Sequence, residues 1–311
     1  MRRDDIWAIT AYFNPVGYRS RLANYKVFRD RLTLPLVTVE LGYDGRLELD
    51  GPDADILVQI PSGDVLWQKE RLLGIGLDAV PESCDKVVWV DCDLIFGPAD
   101  PWQEVSRKLD DYVLVQPFNE AYDLPAGWNG GDVAGAGGVP DRSIGYAAAT
   151  GMPMDRLLIP FSGKGRPHWR TGLSFAFRRE VIAEHGFYYG RILGGNDRAM
   201  VCGALGHFGA LADGHCLTER QQAHFSEWAE PFFEAVNGRV GYADATVAHL
   251  FHGQIINRRY AERHRALREL DFDPYTDIAL DDNGCLRWSS EKPKLHRLAF
   301  EHFIGRREDD E

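Results

Sequence analysis

Among its 311 residues the chain has only five cysteines, Cys84, Cys92, Cys202, Cys216 and Cys285, with no C-x-x-C pair. An odd count without paired spacing argues against a disulfide framework or a structural zinc site, and fits a reducing compartment. No apolar run approaches the roughly 18 residues of a spanning helix, so no membrane span is expected. The start, MRRDD, lacks the apolar stretch of a secretory leader, and a cytoplasmic location is the expectation. There is no N-x-S/T sequon. Basic residues are in the minority, 35 against 47 acidic, for a net charge of −12. That excludes a broad basic surface for nucleic acid, though not a local basic pocket for phosphates. What the chain does have is 44% hydrophobic and 12% aromatic residues, the composition of a packed globular protein.

Apolar runs alternate with amphipathic ones over the first 95 residues. Strands are expected at Ile6–Tyr12, Leu36–Leu41, Ile56–Ile60 and in the Val-rich run that starts at Lys86 and ends at Asp91, and helices over Tyr18–Leu32 and from a cap at Asp64 to Ala79. Such alternation predicts an α/β fold on a parallel sheet. Further on, Pro101–Leu109, Asp197–Leu205 and Asn257–Leu270 read as helices, and Tyr112–Phe118, Gly172–Arg178 and Val247–Phe251 as strands. Residues 126–138 are glycine-rich and read as a mobile loop. The chain after Asp271 reads as irregular, and Arg306–Glu311 as a solvated tail.

Three constellations stand out. Asp91-Cys92-Asp93 closes the Val-rich strand, and side chains at i and i+2 of a strand share a face. Both carboxylates would project into the crevice at the strand's carboxyl end, where a Mg²⁺ or Mn²⁺ ion would relieve their repulsion and hold a diphosphate. Alone, the pair reads equally well as solvated loop acids. Leu193-Gly194-Gly195-Asn196-Asp197-Arg198 places Asp197 at a helix start, where the dipole favours the carboxylate and a nearby alcohol proton could be taken. His249-Leu250-Phe251-His252-Gly253 offers an imidazole as a third metal ligand. Two lookalikes fail. Gly74–Ala79 matches G-x-G-x-x-A but follows a helix, and Ser162–Gly165 lacks P-loop spacing.

Together with Trp67–Arg71, these stretches resemble a GT-A-fold nucleotide-sugar-dependent glycosyltransferase of the bacterial family-2-like kind, with similarity to the galactosyltransferase C-terminal region. The order and spacing cover about residues 6–278. The resemblance implies a GT-A, Rossmann-like single domain with a mixed central sheet. Residues 1–95 would form the nucleotide-sugar-binding half, 96–256 the acceptor-binding and catalytic half, and 257–311 a C-terminal helical extension and tail. It implies a hexosyltransferase moving a hexose from a nucleoside-diphosphate sugar to a hydroxyl acceptor, which would be a saccharide, a lipid-linked glycan or a small molecule.

Roles follow from the same resemblance. Asp91 would meet the ribose or the metal, and Asp93 would ligate Mn²⁺ or Mg²⁺. One of His249 and His252 would complete the shell, with preference to His252 before Gly253. Asp197 would be the base of an inverting displacement; if it only caps its helix, the reaction would be retaining. Where related chains carry Gly-Gly-Glu-Asp, this one has Asn196 in place of the Glu, which leaves acceptor preference open. Donor-binding candidates are Thr10, Tyr12, Asn14, Glu40, Lys69, Arg71, Asp91, Trp169 and Gly172, with His168 and Arg170 beside Trp169. Trp128, Gly195 and Asn196 are acceptor candidates, and Trp128, Trp169, Tyr188 and Tyr189 are aromatic platforms for a sugar face. A sugar-phosphate nucleotidyltransferase and a non-catalytic nucleotide-sugar-binding protein are the alternatives.

Overall fold

A computed structural model describes residues 5–97, 100–158 and 169–310. His168 and the Ser162–Gly165 stretch lie outside the described residues, as do residues 1–4 and Glu311. A seven-stranded sheet runs through the molecule in the order Val240–Tyr242, Leu114–Gln116, Ser174–Arg178, Lys86–Val90, Ile6–Phe13, Leu36–Leu41, Ile56–Ile60. The last four of these pair in parallel, whereas Ser174–Arg178 runs antiparallel to both of its neighbours. The sheet is therefore mixed, as the GT-A-like expectation required. Its first two strands in sequence, IWAITAYF and LVTVEL, are almost wholly buried on both faces, which is why they read as continuous apolar runs. The Lys69–Ala79 helix packs on them closely because Gly76 has no Cβ; one added there would lie 3.3 Å from Val39.

A second sheet of five strands positions the site. Its order is Leu94–Phe96, Thr246–His249, Glu120–Asp123, Asp141–Ser143, Trp169–Arg170. Register places His249 opposite Leu94 on one side and opposite Asp123 on the other. The Leu250 N–H donates to the Asp93 carbonyl at 2.9 Å, which fastens the two chain segments beside each other.

Several boundaries differ from those expected. The second helix starts at Lys69 rather than at an Asp64 cap, because the Asp64 carboxylate accepts the Trp288 N–H instead. The glycine-rich segment contains a helical turn, Val133–Gly137, capped by Asp132. The helix Glu219–Val236, the hairpin Ile278–Leu280 with Leu286–Trp288, and the helix Pro293–Gly305 went unread in the sequence. The charged end is not a solvated tail. Arg306 and Glu308 are buried, with Glu308 at 2.7 Å from Arg21 and 2.5 Å from Arg306. A run of charges looks solvated in sequence because its partners, here from the first helix, are distant in the chain. The main apolar core runs from Ile9 to Phe303, so the C-terminal helix closes the same core that the first strand opens. Among the described residues no helix is long and apolar enough to cross a membrane.

Candidate active site

One cavity lies at the carboxyl end of the parallel strands. Asp91, Asp93, His249, His252, Asp197, Lys69, Trp169, Gly172 and Gly195 all line it. The two aspartates of the Asp-x-Asp stretch diverge within it. The sheet ends at Val90, residues 91–93 turn, and a new strand starts at Leu94, so the two-residue alternation of a strand does not apply. Asp91 turns to Lys69, 3.1 Å away, and accepts the Trp89 indole N–H at 2.8 Å. Burial raises the Asp91 carboxyl, with Asp93 adding to the rise and Lys69 opposing it. Burial alone would depress Lys69, but Asp91, Glu70 and Asp197 more than offset it and hold its ammonium charged.

Asp93 faces the histidines. Its two oxygens lie 3.5 Å from His249 Nε2 and 3.5 Å from His252 Nε2, and its Oδ1 is buried without a hydrogen bond. Ligand atoms of Asp93, His249 and His252 lie within 4.8 Å of one another, the spacing of a shared cation. Asp91, expected to meet the ribose or the metal, is not one of these three and pairs with Lys69. Burial opposes ionisation of Asp93, yet His249, His252 and Arg21 together hold its carboxyl well below the usual range. A carboxylate whose two oxygens face two imidazoles, one of them without a hydrogen bond, fits a divalent cation.

The histidines differ in what lies behind them. His249 Nδ1 is 3.3 Å from Asp123 Oδ1, so donation there would leave Nε2 as the lone pair toward Asp93 once a cation displaces its proton. His252 Nδ1 instead meets an Arg258 amino group, which can only donate, so the proton of the neutral ring sits on Nε2. His249, with a carboxylate behind its ring, is thus the better placed of the two to offer Nε2, whereas the strand position before Gly253 favoured His252. Burial would lower His249, but Asp93 and Asp123 raise it to about 9. Burial, with Arg258 and His249, pushes His252 down to about 3.

Asp197 sits in the first turn of the helix Asn196–Ala204. Its Oδ1 accepts the Arg198 N–H at 2.8 Å, and Oδ2 faces Gly172, where an added Cβ would lie only 2.2 Å away. Gly172 therefore makes room for the carboxylate. Gly195 plays a similar part. It has φ of 99°, and a Cβ there would lie 2.8 Å from His215.

Other expected residues are elsewhere. Thr10 is buried and donates to the Val90 carbonyl. Tyr12 and Asn14 both donate to Glu48, and burial pushes the Tyr12 hydroxyl far up. Glu40 accepts the Glu48 and Leu49 N–H groups and the Gln59 amide. These strand-end residues do not line the cavity, because the loop after the second strand folds back and takes up their hydrogen bonds. Arg71 donates to the Gly284 carbonyl and stacks on Tyr189. Trp128 packs beside Ile95 and Leu124, under Arg31. Tyr188 is buried against His224 and Phe225, which leaves Trp169 as the expected aromatic platform that does line the cavity. Asn196 is fully buried and pins its own loop, bonding Arg191 through both its oxygen and its nitrogen.

The sequence reading missed Glu70, Asp123, Arg258, Arg263, His215 and His264. Glu70 receives the Asn196 amide at 2.9 Å, and burial lifts its carboxyl to about 7 against the pull of Lys69. Arg170, expected beside Trp169, bridges Asp123 at 2.6 Å and Asp141 at 2.9 Å.

No family model and no curated protein matches the chain. Among solved structures, residues 1–349 of S. aureus TarS are 10% identical, with 98% of this chain and 71% of that one covered and a TM-score of 0.37. The galactosyltransferase LgtC, solved with donor and acceptor sugar analogs, is 12% identical over 85% of this chain and 95% of its own, at 0.34. A putative glucose-1-phosphate thymidylyltransferase from Bacillus anthracis is 10% identical over 90% and 98%, at 0.35. At such TM-scores and identities none of these likenesses decides what this chain does.

Proposed function

We propose that the protein is a metal-dependent glycosyltransferase, moving a hexose from a nucleoside-diphosphate sugar to a hydroxyl acceptor with inversion. The observation that carries this reading is the pairing, across one cavity, of an Asp93–His249–His252 cluster with a helix-start carboxylate at Asp197. Asp93 and His249 would hold Mn²⁺ or Mg²⁺, with Asp123 orienting the His249 ring from behind. When bound, the cation would act as a Lewis acid that neutralises the departing diphosphate. Lys69 keeps Asp91 in place and brings positive charge to the same wall. Trp169 offers a face for a sugar ring. Asp197 Oδ2 takes the acceptor's hydroxyl proton as that oxygen bonds to the anomeric carbon, and the bond from the anomeric carbon to the diphosphate oxygen breaks. Gly172 leaves the space in which Asp197 does this.

A thermal-shift screen of nucleoside diphosphates and nucleotide-sugars, with and without Mn²⁺, tests the reading, because ligands that bind only the native state raise its melting temperature. A metal-dependent rise with one nucleoside diphosphate is expected, followed by release of that diphosphate during transfer. No metal-dependent shift with any of them would sink the reading. Release of pyrophosphate would move the assignment to a nucleotidyltransferase.

A further inference from the structure

The cations of the cavity are not all matched in the same way. Arg21, Arg258 and Arg306 converge on Glu308, Arg170 bridges Asp123 and Asp141, and Lys69 has Asp91. Among the described residues Arg263 has no carboxylate within ion-pair distance, and Asp197 acts on it only from further off. It is 8% exposed, its Nε is buried without an acceptor, and among the described residues its recorded contact is the Tyr260 ring at 4.7 Å. Arg191 is fully buried, and among the described residues its guanidinium bonds neutral groups, Gln221 at 3.0 Å and His264 Nδ1 at 3.3 Å. Burial pulls both guanidiniums down, Arg191 to about 10. Buried cations are ordinarily paired directly with a carboxylate, so a cavity-lining one with a buried Nε and no direct ion pair among the described residues points to a ligand that supplies it.

The neighbouring ring has a defined tautomer. A guanidinium only donates, so His264 Nδ1 accepts from Arg191 and the ring's proton is on Nε2. His264 stacks on His215 with centroids 3.7 Å apart, and burial, followed by the neighbouring cationic side chains, keeps both rings neutral. Arg263 and His264 thus give the cavity wall hydrogen-bond donors and no acceptor. Gly195, two residues before Asp197, lets that wall approach, since a Cβ there would meet both imidazoles within 3.0 Å. Through Gly195 the wall adjoins the loop that carries Asp197, and Arg263, His264 and Asp197 line the same cavity.

From this geometry we infer that Arg263 and His264 form an anion subsite for a phosphate or carboxylate carried by the acceptor, next to the hydroxyl presented to Asp197. The inference rests on the glycosyl-transfer reading for the word acceptor, but the subsite itself does not require that chemistry. The guanidinium would face the anion with two parallel donors, and His264 Nε2–H would add a third. An acceptor held in this way keeps its negative charge against Arg263 while its neutral hydroxyl faces the like-charged Asp197.

The test is calorimetric, on the full chain, with the nucleoside diphosphate found in the screen and Mn²⁺ present at saturation. Glycerol 3-phosphate should bind about tenfold or more tightly than glycerol, the worth of a charge-assisted contact. Arg263→Gln should remove that preference while the circular dichroism spectrum stays that of the wild type. Arg263→Lys, which keeps the charge without the fork, should retain part of it and serves if the Gln variant does not fold. Equal binding of the two probes would overturn the inference. So would displacement of glycerol 3-phosphate by the nucleoside diphosphate, which would put the phosphate in the donor's place. A donor with a uronic acid binding about tenfold more tightly than its neutral hexose counterpart, through Arg263, would likewise overturn the acceptor assignment. The glycosyl-transfer reading fails separately, on the absence of metal-dependent nucleoside-diphosphate binding.

Discussion

Polar side chains at the ends of the first two strands and those around the fourth strand's end behave in opposite ways. At Thr10, Tyr12, Asn14 and Glu40 the side-chain polar atoms are taken up by neighbours, mostly from the 48–49 loop. Around Asp93, His249 and Asp197 oxygens and ring nitrogens face a common cavity, and Asp93 Oδ1 is buried with no hydrogen bond. Buried polar groups are nearly always satisfied, so a closed set reads as structure and an open one as a place for a ligand. Strand-end position is shared by both sets and does not separate them. The state of their hydrogen bonds does.

The sharpest break of that contrast comes from the open side. Asp93→Ala should lower metal-dependent transfer by on the order of 10³-fold, through loss of the carboxylate that would hold the cation. Steady-state rates across a Mn²⁺ series measure it, and turnover within tenfold of the wild type would contradict the assignment. Asp197→Asn should cost about 10²- to 10⁴-fold in kcat with donor affinity unchanged, the signature of a lost general base. Equal losses in donor affinity would make Asp197 a structural cap instead. Asp123→Asn acts one step back, through His249, and should weaken Mn²⁺ affinity by about 10- to 100-fold. Affinity within twofold of the wild type would show that His249 needs no such support.

Glu70 gives an effect on stability rather than on turnover. Its folded carboxyl is raised to about 7 from an ordinary 4.5, so the folded state binds more protons between those values. Stability from this group is present below pH 4.5 and is lost as pH rises to about 7, by roughly 3 kcal/mol. Denaturant melts should show Glu70→Gln losing that part of the pH dependence. Parallel curves for variant and wild type would refute it. The smallest functional effect is expected on the closed side. Thr10→Val should reduce stability by about 1 kcal/mol, one buried hydrogen bond, with donor affinity changed less than twofold. A tenfold loss of donor affinity would place the strand end back in the site.

How much of this was legible in the sequence varies with distance along the chain. Three of the four parallel strands were readable because burial on both faces leaves near-continuous apolar runs at Ile6–Phe13, Leu36–Leu41 and Lys86–Val90. His249 and Asp197 were readable because one ends a strand and the other starts a helix, and Asp93 and His252 because each closely follows a strand. The divergence of Asp91 from Asp93 was not, since it depends on the chain leaving the sheet after Val90. The closing of Tyr12 and Asn14 by Glu48 involves contacts more than 30 residues apart, and the burial of Glu308 against Arg21 spans 287. Arg263 and His264 sit on a helix of mixed charge, Tyr260–Glu269, whose sequence alone reads as a solvated face. Only the packing of His215 and Arg191 against it shows that this face is interior.

The central claim, that the open cluster holds a divalent cation, is tested most directly by titrating Mn²⁺ into the wild-type chain and into Asp93→Ala, each with and without a nucleoside diphosphate. Binding of one equivalent by the wild type, strengthened by the nucleoside diphosphate and absent from the variant, is the result predicted. Equal binding by both proteins, or none by either in the presence of the nucleoside diphosphate, would contradict it.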